Sequence, residues 1–149
     1  MRSALTIEIE RSPDDVFAYL ADVSHLTEWQ SGVHSAAIEG GGVACAGVRV
    51  RESRTLLGKQ LETTLEIVEY DPPRLFTLRA LDGPALLTVR HELEPSGDAT
   101  ALTVAVEGEV KHVPGFAAGL MMRGAERQFR KDVERLKRVL EAVRREQEG

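Results

Sequence analysis

Residues Gly47–Pro73 read GVRVRESRTLLGKQLETTLEIVEYDPP, two stretches of two-residue alternation either side of a glycine, the pattern of a β-hairpin. Along the first arm Val48, Val50, Glu52, Arg54 and Leu56 fall on one face, so an acid and a base interrupt an apolar row. Burying two charges there is costly unless they are paired or reached by water. With Gly58-Lys59 as a two-residue loop, Gly58 taking the positive φ of a type II′ turn, Leu56 pairs with Leu61, Arg54 with Thr63, Glu52 with Leu65 and Val50 with Ile67. The other face then pairs Ser53 with Thr64 and Arg51 with Glu66, polar partners suited to a wet side. In this register Glu52 and Arg54 point inward. A later row, Leu87, Val89, His91 and Leu93, repeats the feature with His91 as its polar member.

Working outward, Leu5, Ile7 and Ile9 alternate with polar residues and predict a strand with one buried face. Ser12-Pro13-Asp14-Asp15 follows, an N-cap, a proline at the first helical position and two acids where the helix dipole favours them. Val16, Phe17 and Leu20 are the apolar stripe of this short helix, and a second helical turn is predicted at Leu26–Trp29. From Val33 to Val110 two-residue alternation returns, broken by Gly, Pro and Asp into six strands. After Pro114 the period becomes helical: Met122, Ala125, Phe129, Val133, Leu136, Leu140 and Val143 recur at spacings of three and four. The order is α+β. Seven antiparallel strands cannot cover one face with two short helices, so the long terminal helix must lie across it. A curved sheet wrapped round a helix leaves a hollow, and a hollow explains charged residues on an inward face. Its expected wall is Val50, Leu65, Ile67, Phe76, Leu78, Val89 and Val104, and its expected size is roughly 300–1,000 Å³.

Composition narrows the classes. A chain of 149 residues that is 42% hydrophobic and 29% charged reads as one soluble globular domain over residues 1–149. Cys45, the only cysteine, forms no internal disulfide, which fits a reducing compartment. The start, MRSALTIEIE, has no apolar core of a signal peptide, and no stretch approaches the length of a membrane span. A cytoplasmic protein without stable membrane insertion is expected, as a monomer or homodimer. The net charge of −5 is uneven, because residues 123–149 hold nine basic and six acidic side chains. Glu126, Glu134 and Glu141 precede Arg130, Arg138 and Arg145 at i,i+4, the order of a self-paired helix face, and nucleic acid is not an expected partner.

The order I-x-I-x-x-S-P-x-x-V-F-x-Y-L-A-D over Ile7–Asp22, then Trp29, G-x-R-x-R-E-x-R from Gly47, a Gly-Lys turn, EIVEYDPPR and a long terminal helix resembles the START-like, or SRPBCC, superfamily, closest to its polyketide cyclase/dehydrase branch. The resemblance covers essentially the whole chain. It implies a helix-grip fold, a seven-stranded curved antiparallel sheet of order 1-7-6-5-4-3-2 wrapped round the C-terminal helix, with two short helices after strand 1. It also implies a deep cavity for a hydrophobic small molecule. Members of the superfamily range from lipid binders to aromatase/cyclases, so fold alone does not choose a function.

The candidate residues each carry two readings. Glu52 and Arg54 either orient a ligand carbonyl or carboxylate, Arg54 as the fork and Glu52 as acceptor or base, or form a structural ion pair. His91 is either a general acid or base or a hydrogen-bonded core histidine. Thr63 can add a hydroxyl to the same patch. Trp29 either plugs one end of the sheet or touches ligand, and Met121 and Met122 either form an adaptable apolar wall or pack plainly in the core. His25, His34, His91 and His112 have no metal-ligand spacing, so no metal or other cofactor is expected. The glycine-rich stretch EGGGVACAG lies between strands rather than before a helix and is not a phosphate cradle. Two functions remain, a binder of a lipid, polyketide or other aromatic or isoprenoid-like ligand, and a polyketide aromatase/cyclase or dehydratase. They differ in whether His91, Glu52 and Arg54 converge.

Overall fold

The computed structural model describes residues 2–56, 58–83, 85–110 and 115–148; His112 and Pro114 lie outside the described residues. Strand β1 (Arg2–Ile9) leads into helix α1 (Pro13–Ala21), a 3-10 turn (Val23–His25) and the single-turn helix α2 (Leu26–Trp29). Strands β2 (Val33–Ile38), β3 (Arg49–Leu56), β4 (Lys59–Asp71), β5 (Leu75–Ala80), β6 (Ala85–Ser96) and β7 (Ala99–Val110) follow, and helix α3 (Gly115–Glu148) ends the chain. The strands form one antiparallel sheet of order β1-β7-β6-β5-β4-β3-β2. This is the helix-grip fold.

Local signals set the short helices. The Ser12 hydroxyl accepts from the Asp15 amide at 3.2 Å, and Pro13 opens α1. Asp22 then caps the 3-10 turn, accepting from the amide and hydroxyl of Ser24 at 3.1 and 2.6 Å. Those bonds hold its carboxyl below the usual carboxylate range. In β4 an extra residue falls between the Ile67–Leu78 and Glu69–Thr77 pairs. This bulge returns Tyr70 to the inner side, where its ring meets Phe17 and Phe76 edge-on.

The predicted hairpin register is corrected by two residues. Leu56 pairs with Lys59, Arg54 with Leu61, Glu52 with Thr63, Val50 with Leu65 and Arg49 with Glu66. Gly58 still has a positive φ of 78°; it lies directly before Lys59, the first residue of β4, instead of opening the loop as predicted. A shift of two preserves which face each side chain takes, so Glu52 and Arg54 do face inward. Glu66 meets Arg79 at 3.7 Å rather than Arg51.

The sheet has two unlike ends. The β1–α1 junction, the β2–β3 loop and the β4–β5 turn gather at one end; the β3–β4 and β5–β6 turns and the approach to α3 lie at the other. Helix α3 runs back toward the first end and is fastened there. The Arg11 guanidinium donates to the Leu140 carbonyl at 3.0 Å, the Glu10 amide to Glu141 at 3.0 Å, and the Lys137 ammonium to the Glu8 carbonyl. Val133, Leu136 and Leu140 are buried in the core, with α3 lying against β1 and α2. Earlier turns of α3 are looser: Met122 and Phe129 are half-buried, and Ala125 is exposed. Phe129 is therefore a flank of the core rather than its anchor.

Candidate functional site

Burial falls along the inward rows of β1, β3, β4, β6 and α3 from the fastened end to the open one. The inward residues of β5 (Phe76, Leu78 and Ala80) and β7 (Leu102, Val104 and Val106) stay buried. In β4 Ile67 is buried, whereas Leu65, Thr63 and Leu61 are half-buried. In β6 Leu93 and His91 are buried, Val89 and Leu87 half-buried. In β3 Val50 and Glu52 are buried and Arg54 half-buried; α3 repeats the gradient from Leu140, Leu136 and Val133 to Phe129 and Met122. The concave face is a solid core at one end and opens at the other. Glu52 and His91 stand where the change begins.

The charged pair straddles that boundary. The Arg54 Nε donates to Glu52 Oε1 at 2.5 Å, with the Glu52 side chain 2% exposed and that of Arg54 31%. Arg54 Nη2 donates to Gln30 Oε1 at 3.1 Å, and Nη1 has no partner among the described residues. Thr63 is the cross-strand neighbour of Glu52, which adds its hydroxyl to this patch. The buried carboxylate is thus offset by an arginine that water still reaches.

His91 lies farther across the sheet. Its Nδ1 is 2.9 Å from the Phe76 carbonyl, which only accepts, so Nδ1 carries the proton and Nε2 keeps a lone pair. That Nε2 is buried without a partner. Burial pushes the His91 pKa down to about 4, against a smaller upward effect of the bond to Phe76, and the ring is neutral near pH 7. The ring lies 5.5 Å from Phe76 and 6.5 Å, edge-on, from Trp29.

Glu52 and His91 are not joined by any hydrogen bond or ion pair among the described residues, and β4 and β5 separate their strands. What links the two is α2. Trp29, buried, meets His91, while the next residue, Gln30, holds Arg54. Tyr19 fixes this segment from α1: its ring stacks on His25 at 4.1 Å and its hydroxyl donates to Glu28 at 3.1 Å. Burial and the Glu28 carboxylate raise the Tyr19 pKa. Met122 extends the inward stripe of α3 beyond Phe129, with Met121 beside it; both are half-buried.

A cleft of about 710 Å³ lies elsewhere than the sequence places its hollow. It sits at the fastened end, between α1, β2, the β2–β3 loop and the β4–β5 turn, with Phe17, Ala18, Ala36, Val43, Tyr70 and Pro73 in its wall. Small side chains on α1 and β2 leave the space there. None of Glu52, Arg54, His91 or the α3 methionines touches it.

Residues 2–141 match the family described as polyketide cyclase/dehydrase and lipid transport. The chain belongs to this family. No curated protein matches it in sequence. Among solved structures, similar ones include the ZhuI aromatase/cyclase from Streptomyces sp. R1128, at TM-score 0.79 and 16% identity over 95% of this chain and 93% of that one. A START superfamily protein from Mycobacterium smegmatis aligns at 0.75 and 16% over 95% and 98%. TTHA0849 from Thermus thermophilus aligns at 0.74 and 20% over 95% of each chain. At such identities the likeness is one of fold.

For a member of the polyketide cyclase/dehydrase and lipid transport family, family and fold together suggest a ligand-binding or cyclase-like role. No described helix is long and apolar enough to cross a membrane. Gln30 is the polar residue of this site that sequence reasoning missed. Its only signal was a polar side chain directly after the single tryptophan, at the end of a helix one turn long.

Proposed function

We propose that the protein binds a hydrophobic small molecule, a lipid, polyketide or other aromatic or isoprenoid-like compound, in the opening between the sheet and α3. The inward apolar residues Leu65, Leu87, Val89, Met122 and Phe129 form the wall. Arg54, with Nη1 free, meets the polar end of the ligand, beside Thr63, and Trp29 and His91 close the floor, with the bare Nε2 accepting from a ligand hydroxyl. The observation that carries this reading is the burial gradient: the inward rows of β3, β4, β6 and α3 all loosen toward one end, and the buried polar groups stand at the transition. A core built for packing alone gains nothing from an orphaned imidazole nitrogen there.

The cyclase or dehydratase alternative draws on the same Nε2, a neutral acceptor able to take a proton. It needs a second acid or base at the same ligand atom. Glu52 is engaged by Arg54 and separated from His91 by two strands, which favours the binder.

Titration with Nile red, a neutral aromatic ketone that fluoresces in apolar surroundings, tests the site. Replacing the pair together, Glu52→Gln with Arg54→Met, should leave melting nearly unchanged, because a buried ion pair is often replaceable by uncharged groups. Affinity should fall about tenfold, or about 1.4 kcal/mol. An unchanged affinity in the folded double variant removes the pair from the site.

A further inference from the structure

The outward face of α3 carries a second feature. Phe116 and Leu120 are 83% and 68% exposed. At the helical period they continue into Arg123, Arg127, Arg130 and Lys131, all exposed, and no acid lies on that stripe before Glu134. The stripe points away from the Val133–Leu136–Leu140 face. The self-pairing expected from the sequence does not neutralise it. Neither Glu126–Arg130 nor Glu134–Arg138 is an ion pair, and none of these four cations is paired among the described residues. Leu81, in the β5–β6 turn, is also exposed at this open end.

Two large apolar side chains followed by four free cations, on a chain of net charge −5, select among partners. A nucleic acid uses the cations and has no place for Phe116 and Leu120. A symmetric contact between two copies buries the apolar pair and sets two basic stripes against each other. Only a surface that is anionic outside and apolar beneath satisfies both parts. We propose that this stripe docks the open end of the fold onto an anionic lipid surface, Phe116 and Leu120 entering the acyl boundary while the four cations meet lipid phosphates. Docking stands independently of what the interior binds. The proposed ligand supplies its use, since a compound insoluble in water is exchanged with a bilayer most directly at the end where the inward rows open.

Sedimentation of the full chain with vesicles tests it, using phosphatidylcholine alone and phosphatidylcholine mixed with phosphatidylglycerol. Binding is expected to the mixed vesicles only. It should weaken about tenfold as salt rises from about 0.1 M to about 1 M and the screening length falls from about 10 Å to about 3 Å. Phe116→Ser with Leu120→Ser, and separately Arg123→Gln with Arg127→Gln, should each cut partition about tenfold with unchanged melting, because all four side chains are exposed. Equal partition onto both vesicle types, or unchanged partition in either variant, overturns the proposal. So does binding to heparin that the Phe116→Ser, Leu120→Ser variant retains in full while no vesicle binds, or a dimer in light scattering that this variant abolishes. Nile red affinity in the same variants keeps the two readings apart: it should be unchanged in solution whether or not vesicles bind.

Discussion

His91 makes the stability of this protein depend on pH in a window that can be isolated. In the unfolded chain an imidazole takes a proton near its ordinary pKa of 6.5; in the fold burial delays this to about 4. Between those values the unfolded state binds the extra proton, so stability rises with pH through the window. The contribution is fully present above about pH 6.5 and is lost as pH falls toward 4. At about 1.4 kcal/mol for each pH unit between the two values, the loss by pH 4 is about 3 kcal/mol. Carboxylates elsewhere also titrate in acid, so the informative quantity is a difference. Urea unfolding of the wild type and of His91→Phe, at pH 7 and near pH 4, should show the wild type losing about 3 kcal/mol more than the variant. Phenylalanine keeps the ring in place beside Phe76 and Trp29 and has no proton to gain. Ring NMR of His91 gives a second readout that does not need the variant. Equal acid sensitivity of the two proteins, or a His91 ring that titrates above about 5.5, would refute the reasoning, because either means that water or a charge reaches Nε2.

The remaining expectations rest on burial and position. Arg54→Met alone leaves the buried Glu52 carboxylate without its partner and should cost up to about 3–5 kcal/mol in urea melts, more than the double replacement with Glu52→Gln; a loss no greater than in the double variant would mean that Glu52 finds other compensation. Leu136→Ala, in the sealed part of α3, should cost about 2–5 kcal/mol, and Phe129→Ala, half-buried, should cost less; the reverse order in melting would mean that the open end is packed after all. Ala18→Leu fills part of the cleft at the fastened end and should leave Nile red affinity unchanged; a drop of tenfold or more would move the ligand site there. The Glu52–Arg54 pair is neutral as a unit, so Nile red should bind more tightly than the anionic dye 8-anilinonaphthalene-1-sulfonate in fluorescence titration, and the preference should shrink in Glu52→Gln, where Arg54 is free to meet a sulfonate.

What could be read from the sequence and what could not divides by the range of the interaction. Ser12, Pro13, Asp14 and Asp15 start α1 through bonds within four residues, and two-residue alternation assigns Glu52, Arg54 and His91 to the inner face without any knowledge of their partners. The hairpin register failed by two because alternation is blind to even shifts: every side chain keeps its face whether Glu52 meets Leu65 or Thr63. The turn did not break the tie, since Gly58 fits either loop position. In α3 the periodic stripe named the buried face from Phe129 to Leu140, but periodicity says nothing about what lies opposite, so Met122, Ala125 and Phe129 look like Val133 and Leu136 although they are half-buried or exposed.

The same limit hid how the polar patch is assembled. Whether Glu52 and His91 converge depends on the curvature of four strands and on where a helix of a single turn is set down, and neither leaves a local trace in the chain. The answer lies in Trp29 and Gln30, adjacent in sequence and divided in task, one against the imidazole and the other on the guanidinium. Because Gln30 is the C-cap that directly follows Trp29, a shift of α2 moves both contacts together. A ligand that presses on Trp29 therefore acts on Arg54 as well, and the hydrophobic and polar halves of the opening are coupled through a peptide bond rather than through the sheet.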